Sequence, residues 1–61
     1  VKFKKGERVR VKANSRFDEG QYAGNTGVVD RIVEDDPHPY DILFDDGDCC
    51  LFSGIELEKE D

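Results

Sequence analysis

Histidine occurs once in this chain, as His38, and cysteine only twice, at the adjacent positions Cys49 and Cys50. A structural zinc site draws on pairs spaced as in C-x-x-C together with further Cys or His ligands, so this inventory leaves no zinc motif. Two neighbouring cysteines also make no disulfide framework, and a reducing cytosol is the expected compartment. No apolar run approaches the roughly 18 residues of a membrane span, and no signal-peptide pattern opens the chain. No membrane partner is therefore expected. Basic residues are scarce in one half only. Residues 32–61 hold one lysine against eleven Asp and Glu, whereas residues 1–31 hold eight Lys and Arg against four Asp and Glu. The net charge is −6. Phosphate affinity comes from clustered Lys and Arg, so this acidity opposes nonspecific nucleic-acid binding. Basic strands lying beside acidic ones would soften repulsion across a sheet.

With 61 residues the chain reads as one domain, 1–61. A domain of this size buries only about 60% of its unfolded surface and has no core to spare for a deep catalytic cleft. Charged residues make up 39% and hydrophobic residues 36%, but the apolar positions are patterned, which marks a folded chain. Glu7 to Ala13 alternates, with Val9, Val11 and Ala13 on one side and Arg8, Arg10 and Lys12 on the other. That period of two predicts a half-buried strand. Asn14 to Asn25 is a long polar connection whose large rings are Phe17 and Tyr22. Long loops in small domains are often functional. Thr26 to Val33 predicts a second strand whose imperfect alternation calls for a bulge, with Gly27 marking a close backbone approach. Pro37 and Pro39 exclude helix from the next connection. Tyr40–Asp45 and Asp48–Ser53 predict a hairpin, Ser53 and Glu56 have capping-box spacing for a short helical turn, and Leu57 adds a last strand contact. The fold class that follows is all-β: a small barrel of four to five strongly bent antiparallel strands with one short 3-10 turn.

The stretch DILFDDGDCC (Asp41–Cys50) decides between turn and chemistry. It lacks the alternate-position spacing and closing glutamate of a calcium loop, so neither metal nor cofactor is expected. Asp46-Gly47 is a strong two-residue turn signal. With those two at the turn, Phe44 faces Cys49, Leu43 faces Cys50, Ile42 faces Leu51 and Asp41 faces Phe52. Tyr40, Ile42, Phe44, Cys49 and Leu51 then form the core face. Leu43, Cys50 and Phe52 form an apolar strip on the other face, beside an acidic end of Asp45, Asp46 and Asp48. Asp45 opposite Asp48 needs a cation, which Arg8, Arg10 or Lys12 can supply. The two sulfurs part to opposite faces, which opposes both a mutual disulfide and shared chelation of one metal. With His38 between prolines and no phosphate-loop pattern around Gly24–Gly27, the chain reads as a non-enzyme.

Taken in order, FKKGERVRV, GNTGVVDRI, YDILFDDGD and FSGIELE resemble small SH3-like barrels of the KOW and Tudor kind. The arrangement is also similar to the small stromal docking protein of photosystem I and to small uncharacterised Bacillus phage proteins. The resemblance covers Phe3 to Glu58, and this barrel hosts many unrelated tasks. KOW domains imply RNA or protein contact. The Tudor kind implies an aromatic cage for a methylated cation, with Tyr22, Phe44 and Phe17 as its members. The chain has no tryptophan, and Phe44 falls in the core, so that cage would be incomplete.

Two functional readings follow. The first is a monomeric protein-interaction module that binds a protein or basic peptide through the long first loop and the third/fourth-strand hairpin. Its residues are Phe17, Tyr22, Leu43, Phe52, Asp45, Asp46 and Asp48. Phe17 and Tyr22 have an alternative role as plugs for the open end of the barrel. The second is a nucleic-acid-binding module using the basic first strand and its flanks: Arg8, Arg10, Lys12 and Arg16, with Lys2, Lys4 and Lys5. An acidic DNA mimic, on the charge of residues 32–61, is a further alternative.

Overall fold

The computed structural model describes residues 3–60, with Phe17 and Asp18 by their backbone alone. Five strands run as β1 Arg8–Val11, β2 Thr26–Ile32, β3 Tyr40–Phe44, β4 Cys49–Phe52 and β5 Leu57–Lys59. Two 3-10 turns interrupt them, at Phe17–Gly20 and Gly54–Glu56. There is no α-helix among the described residues, and so none long and apolar enough to cross a membrane. All neighbours pair antiparallel in the order β4-β3-β2-β1-β5. No pairing joins β4 to β5 among the described residues, so the sheet is open rather than a closed barrel. It is strongly bent nonetheless. Five flat strands would span about 20 Å edge to edge but be far thinner through the sheet, whereas the molecule measures 24 × 21 × 20 Å.

The bend wraps one face around Phe3, Val9, Val11, Val29, Tyr40, Ile42, Phe44, Phe52 and Leu57, all buried. The expected alternation of β1 holds: Val9 and Val11 are buried, Arg8 and Arg10 exposed. Ala13, expected on the buried side, is exposed. The strand stops at Val11, and the chain turns away where the Ser15 N–H donates to the Lys12 carbonyl at 3.0 Å. In β2 the register shifts between Val29 and Arg31, leaving Asp30 as the extra residue of a bulge. This accounts for the imperfect alternation in the sequence. Gly27 lies against β3 where a Cβ would meet the backbone of Leu43 and Phe44. At the second 3-10 turn, Glu56 reaches back to accept from both the backbone N–H of Ser53 (3.1 Å) and its hydroxyl (3.0 Å).

The hairpin register differs from the sequence expectation by one residue. Cys49 pairs with Leu43, Cys50 with Ile42, Leu51 with Asp41 and Phe52 with Tyr40. The turn holds three residues, not two: Phe44 N–H donates to the Asp48 carbonyl (2.7 Å), and Gly47 N–H to the Phe44 carbonyl (3.0 Å). Gly47 takes φ +96°, and Asp46 keeps a negative φ. A tight two-residue turn would need positive φ at both positions, whereas a three-residue loop needs it only at its last. The shift exchanges the faces of β4. Phe52 and Cys50 turn to the core side, with Phe52 fully buried, and Cys49 is exposed. The anticipated outer strip of Leu43, Cys50 and Phe52 is thereby corrected. The outer face instead carries Val28, Leu43 and Cys49 in one cross-strand row, with Leu51 beyond it. The two cysteines do lie on opposite faces, and no disulfide joins them.

Candidate functional site

The long first loop is tied down at its far end. Gly24 N–H donates to the Val11 carbonyl and Val11 N–H to the Asn25 carbonyl, each at 2.9 Å, so the loop returns as an extension of the β1–β2 ladder. The turn of the β3–β4 hairpin leans against this end, where Asp45 N–H donates to the Thr26 carbonyl at 3.1 Å. Between them lies an open depression of about 250 Å³ lined by Gly24, Asn25, Thr26, Phe44, Asp45 and Asp46. Phe44 is its one aromatic lining residue and packs in turn against two further rings. Tyr22 stacks on Phe44 at 5.2 Å and 9°, and both rings meet Phe52 edge-on at 5.7 Å. Offset stacked and edge-to-face rings are the favoured arrangements of aromatic quadrupoles.

Of the residues expected to bind protein, the structure brings Asp45 and Asp46 into this depression, with Tyr22 half-buried behind it. Tyr22 thus packs against the core. Phe52 is fully buried and offers no contact surface. Leu43 is 40% exposed on the outer face, and Asp48 is exposed just before β4. The side chain of Phe17 and the residue Lys2 lie outside the described residues. The depression was not foreseen as such. It depends on where the loop end docks, and no sequence pattern marks that.

The two arginines of the basic first strand are paired within the chain. Arg8 grips Asp45 with both terminal nitrogens, at 2.9 and 3.0 Å, and also bonds Glu60 at 2.9 Å. Arg10 pairs with Glu58 at 2.9 Å, across the β1–β5 register. Asp48 lies opposite Phe44 rather than Asp45, so the expected like-charge pair does not form, and Arg8 is the counter-charge that Asp45 takes. Sequence reasoning missed Glu58, Glu60 and Thr26 as partners, because their positions follow from strand register rather than spacing. Lys12 is half-buried and Arg16 exposed. Among the described residues no group of three or more His, Cys, Asp or Glu gathers to hold a metal ion.

Asp45 is the most perturbed acid of the site. The bidentate bond from Arg8, then the 2.7 Å bond from the Thr26 hydroxyl, hold its carboxyl down at about 2, and the same contact raises the Arg8 guanidinium. A folded-state value below the unfolded one stabilises at pH above the ordinary aspartate range and is lost as pH falls through about 2. Carboxyl-detected NMR titration is expected to place the Asp45 midpoint near 2 and to show it rising towards 3.8 in Arg8→Gln. An unchanged midpoint in that variant would mean that the fork does not set the ionisation.

Neither a protein-family model nor a curated protein sequence matches the chain. Among solved structures, the NMR structure of Bacillus subtilis protein YorP superposes with a TM-score of 0.83, covering 97% of this chain and 70% of that one. The two are 20% identical, so the likeness is one of fold.

Proposed function

We propose that this protein is a non-enzymatic binding module that takes a basic segment of a partner protein at the junction of the first loop and the β3–β4 turn. The observation that carries this reading is the depression of about 250 Å³ between those two elements, which has Phe44, Asp45 and Asp46 among its lining residues. Arg8 neutralises much of Asp45, while Asp46, among the described residues, accepts only the local Asp48 N–H at 3.0 Å and is exposed. Asp46 is thus the carboxylate open to an incoming cation, and Asp48 adds to the field around it. A chain of net charge −6 steers cationic partners by long-range attraction. The same geometry supports the nucleic-acid reading less well. Arg8 and Arg10, the two cations within β1, already hold carboxylates of their own chain.

The test is fluorescence anisotropy with a labelled lysine–serine peptide, its glutamate–serine counterpart, and single- and double-stranded oligonucleotides. Binding of the lysine peptide alone is expected, weakened about tenfold by Asp46→Lys. Equal binding of both peptides, or indifference to Asp46→Lys, overturns the proposal. Salt-sensitive binding of an oligonucleotide in place of the peptide transfers the function to the basic strand.

A further inference from the structure

We propose that the partner segment adds to the sheet as a sixth strand along the open edge of β4. This rests on the basic-peptide reading above and specifies its mode. Strand β4 ends the sheet, with β3 on one side and, among the described residues, no strand on the other. The bond from Phe44 N–H to the Asp48 carbonyl sets the phase of the ladder. Hydrogen-bonding direction alternates along an antiparallel strand. Cys50 and Phe52 therefore direct their N–H and C=O groups to β3, and Cys49 and Leu51 direct theirs outward. Those outward groups are the template that a further strand uses.

The two edges of this sheet are treated differently. β5 is three residues long and carries Glu58 and Lys59, which pair with Arg10 and Glu7. Short length and charge are the usual protection of an edge strand. β4 reads Cys-Cys-Leu-Phe, with no charge, no proline and no bulge. It also lies beside the apolar row of Val28, Leu43 and Cys49 on the outer face, where Leu43 is 40% exposed. Alternate side chains of an added strand would extend that row. The intervening ones would cover Cys50, which is only half-buried against the core.

Charge selects the occupant. The edge begins at Asp48, directly after the Asp46-Gly47 turn, so a strand running along β4 passes from the acidic turn onto the apolar edge. A segment of alternating apolar and basic residues fits both parts. A second copy of this chain brings another net charge of −6 and is disfavoured.

The experiment titrates 15N-labelled protein with an alternating lysine–valine peptide and with the same peptide N-methylated along its backbone. Slowed hydrogen exchange and shifted amide resonances at Cys49 and Leu51 are expected with the first peptide. Those of Cys50 and Phe52, already bonded to β3, change little. N-methylation is expected to weaken binding about tenfold or more. Two variants report separately. Leu51→Pro removes an outward donor at a position where an edge strand tolerates proline. Leu51→Lys keeps the donor but repels the peptide, and so serves if the proline variant fails to fold. Each is expected to abolish the Cys49 response. Equal affinity for both peptides, with shifts confined to residues 24–26 and 44–46, overturns the added strand while leaving the basic-peptide reading intact. No response to either peptide anywhere overturns both. Protection at Cys49 and Leu51 that grows with protein concentration in the absence of peptide assigns the edge to self-association and likewise overturns the proposal.

Discussion

Replacing Gly27 with alanine is expected to lower the melting temperature by about 12 °C or more. The added Cβ would sit 2.8 Å from the Phe44 Cα and 2.9 Å from the Leu43 carbonyl carbon, with the Leu43 carbonyl oxygen closer still. All three are backbone atoms of β3, so no rotamer change relieves the clash. Relief requires β2 and β3 to part where Gly27 pairs with Phe44. That same pairing carries the hairpin turn, and through the Asp45 N–H bond to Thr26 it fixes the wall of the depression. Overpacking of side chains typically costs about 1–3 kcal/mol, and a backbone clash lies at or beyond the upper end. At about 0.05–0.15 kcal/mol per residue, a chain this size has roughly 3–9 kcal/mol in all. A loss of about 3 kcal/mol lowers the melting temperature of so small a domain by about 12 °C or more. Circular dichroism melts of wild type and Gly27→Ala measure this directly. A melting temperature within about 2 °C of wild type would show that the strands can open there at little cost.

Gly27 also shows what the sequence discloses without a structure. A glycine at an apolar-patterned strand position has few reasons to be there, and close backbone approach is one of them. The strand sites were legible for the same reason. Val9 and Val11 alternate with arginines, prolines close off helix before Tyr40, and Asp-Gly reverses the chain. The register of β4 was not legible, because Cys49, Cys50, Leu51 and Phe52 are all apolar and alternation cannot choose between two phases. Asp-Gly serves both a two-residue and a three-residue turn, so the turn does not choose either. Packing makes the choice. Burying Phe52 with Cys50 removes a large ring from water, whereas the other phase would bury Leu51 with Cys49 and strand that ring outside. The partnering of basic and acidic halves was visible as a charge balance. The particular pairs, Arg8 with Asp45 and Glu60 and Arg10 with Glu58, required the sheet order that brings β5 beside β1. The depression lay further out of reach, since it depends on Gly24 and Asn25 rejoining Val11 after a loop without apolar periodicity.

The register can be put to a direct energetic test at two adjacent residues. Phe52→Ala is expected to destabilise the protein by about 3–5 kcal/mol, the range for truncating a buried phenylalanine. Phe52 is fully buried and meets both Tyr22 and Phe44 edge-on at 5.7 Å, so its loss opens a cavity beside Phe44. Against roughly 3–9 kcal/mol of total stability, that change brings the chain to the edge of unfolding. Leu51→Ala, one residue earlier, is expected to cost about 1 kcal/mol, because Leu51 is half-buried on the outer face opposite Asp41. The alternative phase reverses the order, with Leu51 the costly truncation and Phe52 the mild one. Urea denaturation of the two variants discriminates by several kcal/mol, well beyond the uncertainty of extrapolation. The cysteines give a concordant kinetic reading, since reaction of a native thiol depends on access. In native protein a thiol reagent is expected to modify exposed Cys49 ahead of half-buried Cys50. Should Leu51→Ala prove the more damaging and Cys50 the faster thiol, β4 would present its other face. Its outward backbone groups would then belong to different residues, and the added strand would have to meet Cys50 and Phe52 in place of Cys49 and Leu51.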